Sequence, residues 1–128
     1  MKLSDIIEID RRIQDGAWMA SETLPGVALK VRGLSSRAYE NAQDATRRRL
    51  GQRQINAMSD VERQGLLNEN LLDAILLDWK GLEGDDGEAL PFSRDAAAEM
   101  LADPRMQLFR AAVLVAASGV GPAGLSST

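Results

Sequence analysis

The chain contains neither cysteine nor histidine. The first absence excludes disulfides, thiolate nucleophiles and Cys-ligated zinc. The second removes the commonest general base and the commonest transition-metal ligand. Aromatic residues make up only 4% of the chain, so its core has to be built from Leu, Ile, Val, Ala and Met. A core of that kind deforms readily and suits a surface that adapts to partners. Long apolar runs are missing as well. The longest, Ala111 to Ala117, falls far short of the roughly 20 residues that a membrane helix needs. The opening Met1-Lys2-Leu3-Ser4-Asp5 lacks the basic and then apolar layout of a signal peptide. These absences together predict a soluble cytoplasmic protein that is not an enzyme, holds no cofactor or metal, and has no membrane partner.

What is present is ordinary globular material. The chain has 128 residues, of which 45% are hydrophobic and 27% charged. That length fits one domain and needs no disulfide or metal staples. The net charge of -4 is unevenly spread. Residues 1–64 carry 11 Lys/Arg and 9 Asp/Glu, whereas residues 65–128 carry 4 and 10. A basic-leaning half joined to an acidic half favours contacts with proteins, including copies of itself, over nucleic acid, which selects for an overall basic domain.

The pattern predicts an α+β fold, a mainly helical single domain over residues 1–117 with an N-terminal β-hairpin. The N-terminal third reads as β-rich. Ile7 and Ile9 alternate around Glu8, Leu24-Pro25-Gly26 is a turn, and Val27, Leu29 and Val31 alternate with polar or small residues. A hairpin across residues 17–32 is the simplest assembly. Helices are expected over residues 36–57, 59–79, 93–102 and 104–117. The second opens with the capping box Ser59-Asp60-Val61-Glu62 and carries Leu67, Leu71 and Ile75 on one stripe. Ser93 and Asp103-Pro104 supply the later caps. Residues 118–128, rich in Gly, Ser and Ala, read as a flexible C-terminal tail.

Several clusters invite functional readings. Asp78, Glu83, Asp85, Asp86 and Glu88 could supply oxygens to a hard cation, but their register does not match the EF-hand loop. An exposed acidic turn is the simpler reading. Arg47-Arg48-Arg49, with Arg37 and Arg53 nearby, are spread around a helix instead of forming one stripe. No nucleic-acid motif accompanies them. Ser118-Gly119-Val120-Gly121 has neither nucleophile-elbow nor phosphate-loop order. Trp79 reads as a core anchor. Trp18, on a hairpin with a wet face, reads equally well as core or as an anchor for a partner.

The C-terminal half carries a series of short motifs: Leu76-Leu77-Asp78-Trp79-Lys80-Gly81-Leu82, then Asp85-Asp86-Gly87, then Leu90-Pro91-Phe92-Ser93 and a helix ending near Met100-Leu101. With Gly16-Ala17-Trp18 and Val31-Arg32-Gly33-Leu34, this series resembles the tail assembly chaperones of long-tailed, siphovirus-like bacteriophages and prophages over most of residues 15–117. The resemblance implies a factor of the host bacterial cytoplasm that binds the tape measure protein, recruits the major tail protein and assists tail morphogenesis. It implies no catalytic residues. It also implies a family in which the C-terminus is often extended by a ribosomal frameshift. On this reading the partner-binding residues are Trp18, Leu29 and Val31 of the hairpin with Phe109 and Val113 of the last helix. The alternatives are a structural virion protein of the tail or connector and, third, a small nucleic-acid-binding regulator.

Overall fold

The structure, a computed structural model, describes residues 1–121. It is an α+β fold, a mainly helical single domain around a small antiparallel sheet. The sheet has three strands in the order β1 (Ala17–Ala20), β2 (Ala28–Val31) and β3 (Leu76–Lys80). Around it run α1 (Leu3–Asp15), α2 (Arg37–Leu50), α3 (Gln52–Asn56), α4 (Asp60–Asn70), α5 (Arg94–Ala102) and α6 (Gln107–Ser118). No helix among the described residues is long and apolar enough to cross a membrane.

The chain does not open with β structure. The alternation of Ile7 and Ile9 belongs to α1, where Ile6, Ile9 and Ile13 recur at helical spacing. Asp5 accepts from the Lys2 amide at 3.0 Å and so satisfies one donor that the first turn leaves free. Gly16 ends the helix at φ 98°, with its N–H on the Arg12 carbonyl. The hairpin then follows as expected, with Ala17 opposite Val31 and Ala20 opposite Ala28.

The segment expected as one helix over 59–79 is helix, then π turn, then strand. Its start is the capping box: Ser59 Oγ accepts from the Glu62 amide, and Glu62 accepts from the Ser59 amide, both at 3.2 Å. After Asn70 the chain widens into a π-helical turn, Leu71–Ile75, which buries Leu71, Ala74 and Ile75 together. Leu76 then passes directly into β3. An apolar run such as Leu71 to Leu77 suits a buried helix and a buried strand alike. Here β2 decides, because its inner edge needs a ladder partner and only Leu76–Lys80 supplies one. The strands are therefore not all N-terminal. The helix expected over 36–57 is likewise divided. Gly51, at φ 76°, separates α2 from α3. The helix expected at 104 begins as a 3-10 turn, Pro104–Met106, before α6.

The core lies between the sheet, the π turn, α5 and α6. Leu29, Val31, Leu71, Ile75, Leu101 and Val113 are its fully buried large side chains. Trp79 is its aromatic centre. Its ring meets Phe92 and Phe109 edge-on, at 4.9 and 5.8 Å between centroids, and its indole N–H donates to the Leu90 carbonyl at 2.8 Å. Gly81 lets the chain after β3 pass the first turn closely. Its φ is 87°, and a Cβ there would overlap the Gly26 carbonyl oxygen. Ser118 ends α6 and Val120 is buried, so residues 118–121 are part of the packed body and not of a tail. The remainder of the expected tail, 122–128, lies outside the described residues.

Candidate functional site

Of the residues singled out for partner binding, one reaches the surface. Trp18 is 37% exposed on β1, with the Lys80 ammonium 4.0 Å above its ring. Leu29 and Val31 are completely buried on β2, and Phe109 and Val113 pack inward from α6. These four are core residues, out of reach of a partner in this fold. The reason is geometric. β2 is the central strand of the sheet, and its apolar alternation marks the face covered by helices. On α6, Phe109 and Val113 are four residues apart and share the stripe that faces the sheet.

The exposed apolar side chains lie elsewhere. On α1 they are Leu3, Ile6 and Ile7; on α4, Val61; on α6, Leu108 and Val115. Sequence reading missed them for identifiable reasons. Ile7 reads as part of a β alternation with Ile9, which hides the helical face that α1 exposes. Val61 sits alone behind a capping box. Arg110 is the lone charge on α6, so its pattern does not separate an inner from an outer face.

One of these sites is concave. A groove of about 470 Å³ runs between α4 and the α5–α6 corner, lined by Val61, Gly65, Leu101, Ala102, Pro104 and Arg110. It is held open from both sides. Gly65 contributes no side chain, and a Cβ placed there would meet nothing within 4 Å. On the other side the 3-10 turn is fixed by Asp103, which accepts from the Arg105 amide at 2.9 Å and from its guanidinium. The Arg105 side-chain hydrogen bond holds the Asp103 carboxyl below the ordinary carboxylate range. Asn68 spans the floor, donating from Nδ2 to the Leu101 carbonyl at 3.0 Å. A second apolar depression, of about 190 Å³, continues past Leu101 toward Leu72 and Ala98. Among the described residues Arg110 has no carboxylate within ion-pair distance. The groove therefore offers apolar contact interspersed with the amides of Gln64, Asn68 and Gln107, with one free positive charge at its edge.

The charged clusters are largely occupied locally. Arg47 pairs with Asp44, and Arg49 reaches Glu69 on α4 at 3.4 Å. The basic run thus serves partly to tie two helices together, at surface strength. The acidic loop is closed by a bridge between Glu83 and Ala89, and Asp86 accepts from the Glu88 amide at 2.9 Å. No group of three or more acidic side chains among the described residues is arranged to hold a metal ion.

A family model described as "YdaY prophage protein" matches residues 34–121. The matched span begins after the hairpin and contains every residue that lines the groove. No curated protein and no solved structure matches the chain.

Proposed function

Because the chain belongs to the YdaY prophage protein family and is thus phage-related, we propose that it is a tail assembly chaperone. It binds the tape measure protein in the host bacterial cytoplasm and keeps that client from aggregating until the tail polymerises. It acts by binding alone and catalyses no reaction. The observation that carries this reading is the groove between α4 and the α5–α6 corner, open, lined by Val61, Ala102 and Pro104 together with the polar Gln64, Asn68, Asp103 and Gln107, and edged by the unpaired Arg110.

Such a groove suits one face of an amphipathic helix, the helix-in-groove mode of recognition. Val61, Ala102 and Pro104 take apolar side chains spaced three and four apart. Arg110 takes a carboxylate at the end of that stripe, which sets the direction in which the client helix lies. The interaction is reversible by design, because a shallow apolar groove with a single ion pair holds a helix without enclosing it. Recruitment of the major tail protein is the second partner contact of the same role.

The test is co-expression with the tape measure protein of the same prophage. The chaperone reading expects the tape measure to become soluble and to co-purify with this chain, and expects Val61→Asp to abolish both effects while the chain stays folded. A tape measure that stays insoluble, together with recovery of this chain from purified particles by mass spectrometry, replaces the chaperone with a structural virion protein.

A further inference from the structure

The first half of α1 presents a bare apolar face. Beyond its own caps, every hydrogen bond that joins α1 to the rest of the described residues is made by Ile13 or Gln14, at its far end. The Ile13 carbonyl accepts from the Gly33 amide, the Gln14 carbonyl from Arg32 Nε, and Gln14 Oε1 from the Arg37 amide. Toward solvent, α1 carries Leu3 at 80% exposure, Ile7 at 71% and Ile6. Asp10 follows the two isoleucines at three and four residues, so all four share one face.

Asp10 is the one charge centred on that face. It is exposed and has no ion pair among the described residues, and its hydrogen bond, from the Gln14 amide, is long at 3.4 Å. The other charges of the helix are engaged or turned away. Asp5 accepts from the Lys2 amide, and Glu8 is paired with Arg11 at 2.5 Å. Arg12 and Asp15, two and five positions past Asp10, fall on the opposite side of the helix.

The face therefore matches what the groove between α4 and the α5–α6 corner takes: apolar side chains three and four apart, then a carboxylate for Arg110. We infer that the groove of one copy is occupied by α1 of a second copy. With the groove read as the client site, on which this consequence rests, self-association and client binding exclude each other, and the chain keeps its own site covered until the client arrives.

Charge complementarity selects this occupant. Asp103 and Arg110 are the charged residues of the groove lining, and Asp103 is already held by Arg105. Arg110 is left to meet Asp10. Pairing α1 with another α1 would satisfy neither, because Asp10 would then face Leu3 in an antiparallel pair or a second Asp10 in a parallel one. The chain's own α1 does not fill its groove, since the same face stands exposed within the single copy. Helix and groove are different surfaces, so the contact is head-to-tail and repeats from copy to copy.

The test is sedimentation equilibrium of the full chain, followed by co-expression with the tape measure protein. The mass is expected to rise with concentration. Ile7→Asp and Val61→Asp, both at exposed positions, abolish the rise while circular dichroism shows each chain folded. Asp10→Arg and Arg110→Asp each weaken association about tenfold, because like charges then meet, and the two together in one chain restore it. In co-expression, Ile7→Asp solubilises the tape measure at a severalfold lower level of this chain, because no α1 competes for the groove. A chain that is monomeric at every concentration overturns the inference. So does association that Ile7→Asp or Val61→Asp leaves intact, or that the double charge reversal fails to restore. Solubilisation by Ile7→Asp no better than by the unaltered chain overturns the shared site. Association that follows the Ile7, Val61 and charge-reversal pattern, with no chain solubilising the tape measure, supports α1 in the groove and overturns the chaperone reading instead.

Discussion

Arg32 donates from Nη1 to the carbonyl oxygen of Ala74, 3.1 Å away, and so fastens the end of β2 to the π-helical turn. The same guanidinium donates from Nε to the Gln14 carbonyl at 3.0 Å. One side chain therefore satisfies two carbonyls at helix ends that have no partner of their own. It also joins α1 to the sheet, helped by the Gly33 amide on the Ile13 carbonyl. Arg32→Met keeps most of the side-chain volume and removes both bonds. The expected loss is about 2–4 kcal/mol, at about 1.5–3 kcal/mol for each bond from a charged donor, partly offset by solvation. Urea denaturation measures it, and a loss below half a kcal/mol would show that water replaces the guanidinium.

Gly81 and Gly87 form a controlled pair. Both have positive φ, 87° and 82°, but a Cβ overlaps the Gly26 carbonyl at Gly81 and meets nothing at Gly87. Gly87→Ala is expected to cost about 1–2 kcal/mol, the strain of a side chain in the left-handed region. Gly81→Ala is expected to cost clearly more, because the loop after β3 must also move away from the first turn. Equal midpoints in thermal denaturation would refute the close crossing.

Val61 and Phe109 separate surface from core. Val61 is 78% exposed and Phe109 is 4% exposed. Val61→Asp should change stability by no more than about 0.5 kcal/mol and still abolish tape measure solubilisation. Phe109→Asp buries a carboxylate beside Trp79 and should unfold the chain, at a cost above about 4 kcal/mol. Circular dichroism and co-purification, run side by side, check both outcomes.

The Asp103 carboxyl titrates below its ordinary value because Arg105 donates to it. A carboxyl with a lowered folded value adds stability that is fully present above the unfolded value and is lost as pH falls through the folded one. The 3-10 turn at the groove edge should therefore loosen only at pH values below the ordinary carboxylate range. Asp103→Asn should remove this part of the acid dependence. A carboxyl-carbon NMR titration of Asp103 gives the direction directly.

The sequence discloses features set by local chemistry and conceals those set by packing. Ser59-Asp60-Val61-Glu62, Ser93 and Asp103 are legible because each satisfies amides within its own first turn. The hairpin is legible because alternation and a Pro-Gly turn are local signals. β3 is not legible, because Leu71 to Leu77 fits helix and strand equally and the choice rests with β2, more than forty positions earlier in the chain. The groove is hidden for a similar reason. Gly65 reads as a weak point in a helix, and only the position of Leu101 across from it turns the missing side chain into an opening. Phe109 and Val113, four apart, share one face of the last helix. Which way that face points is a tertiary fact.

The direct passage from π turn into β3 bears on how this chain can vary in evolution. No loop residue separates Ile75 from Leu76. One residue gained or lost between positions 71 and 75 would be carried into the strand and would turn each of its side chains to the opposite face of the sheet. Trp79 would leave its place between Phe92 and Phe109. Length variation among descendants should therefore collect in the turns at 21–27 and 81–92, while the run from Leu71 to Trp79 keeps a fixed count of residues even where their identities drift.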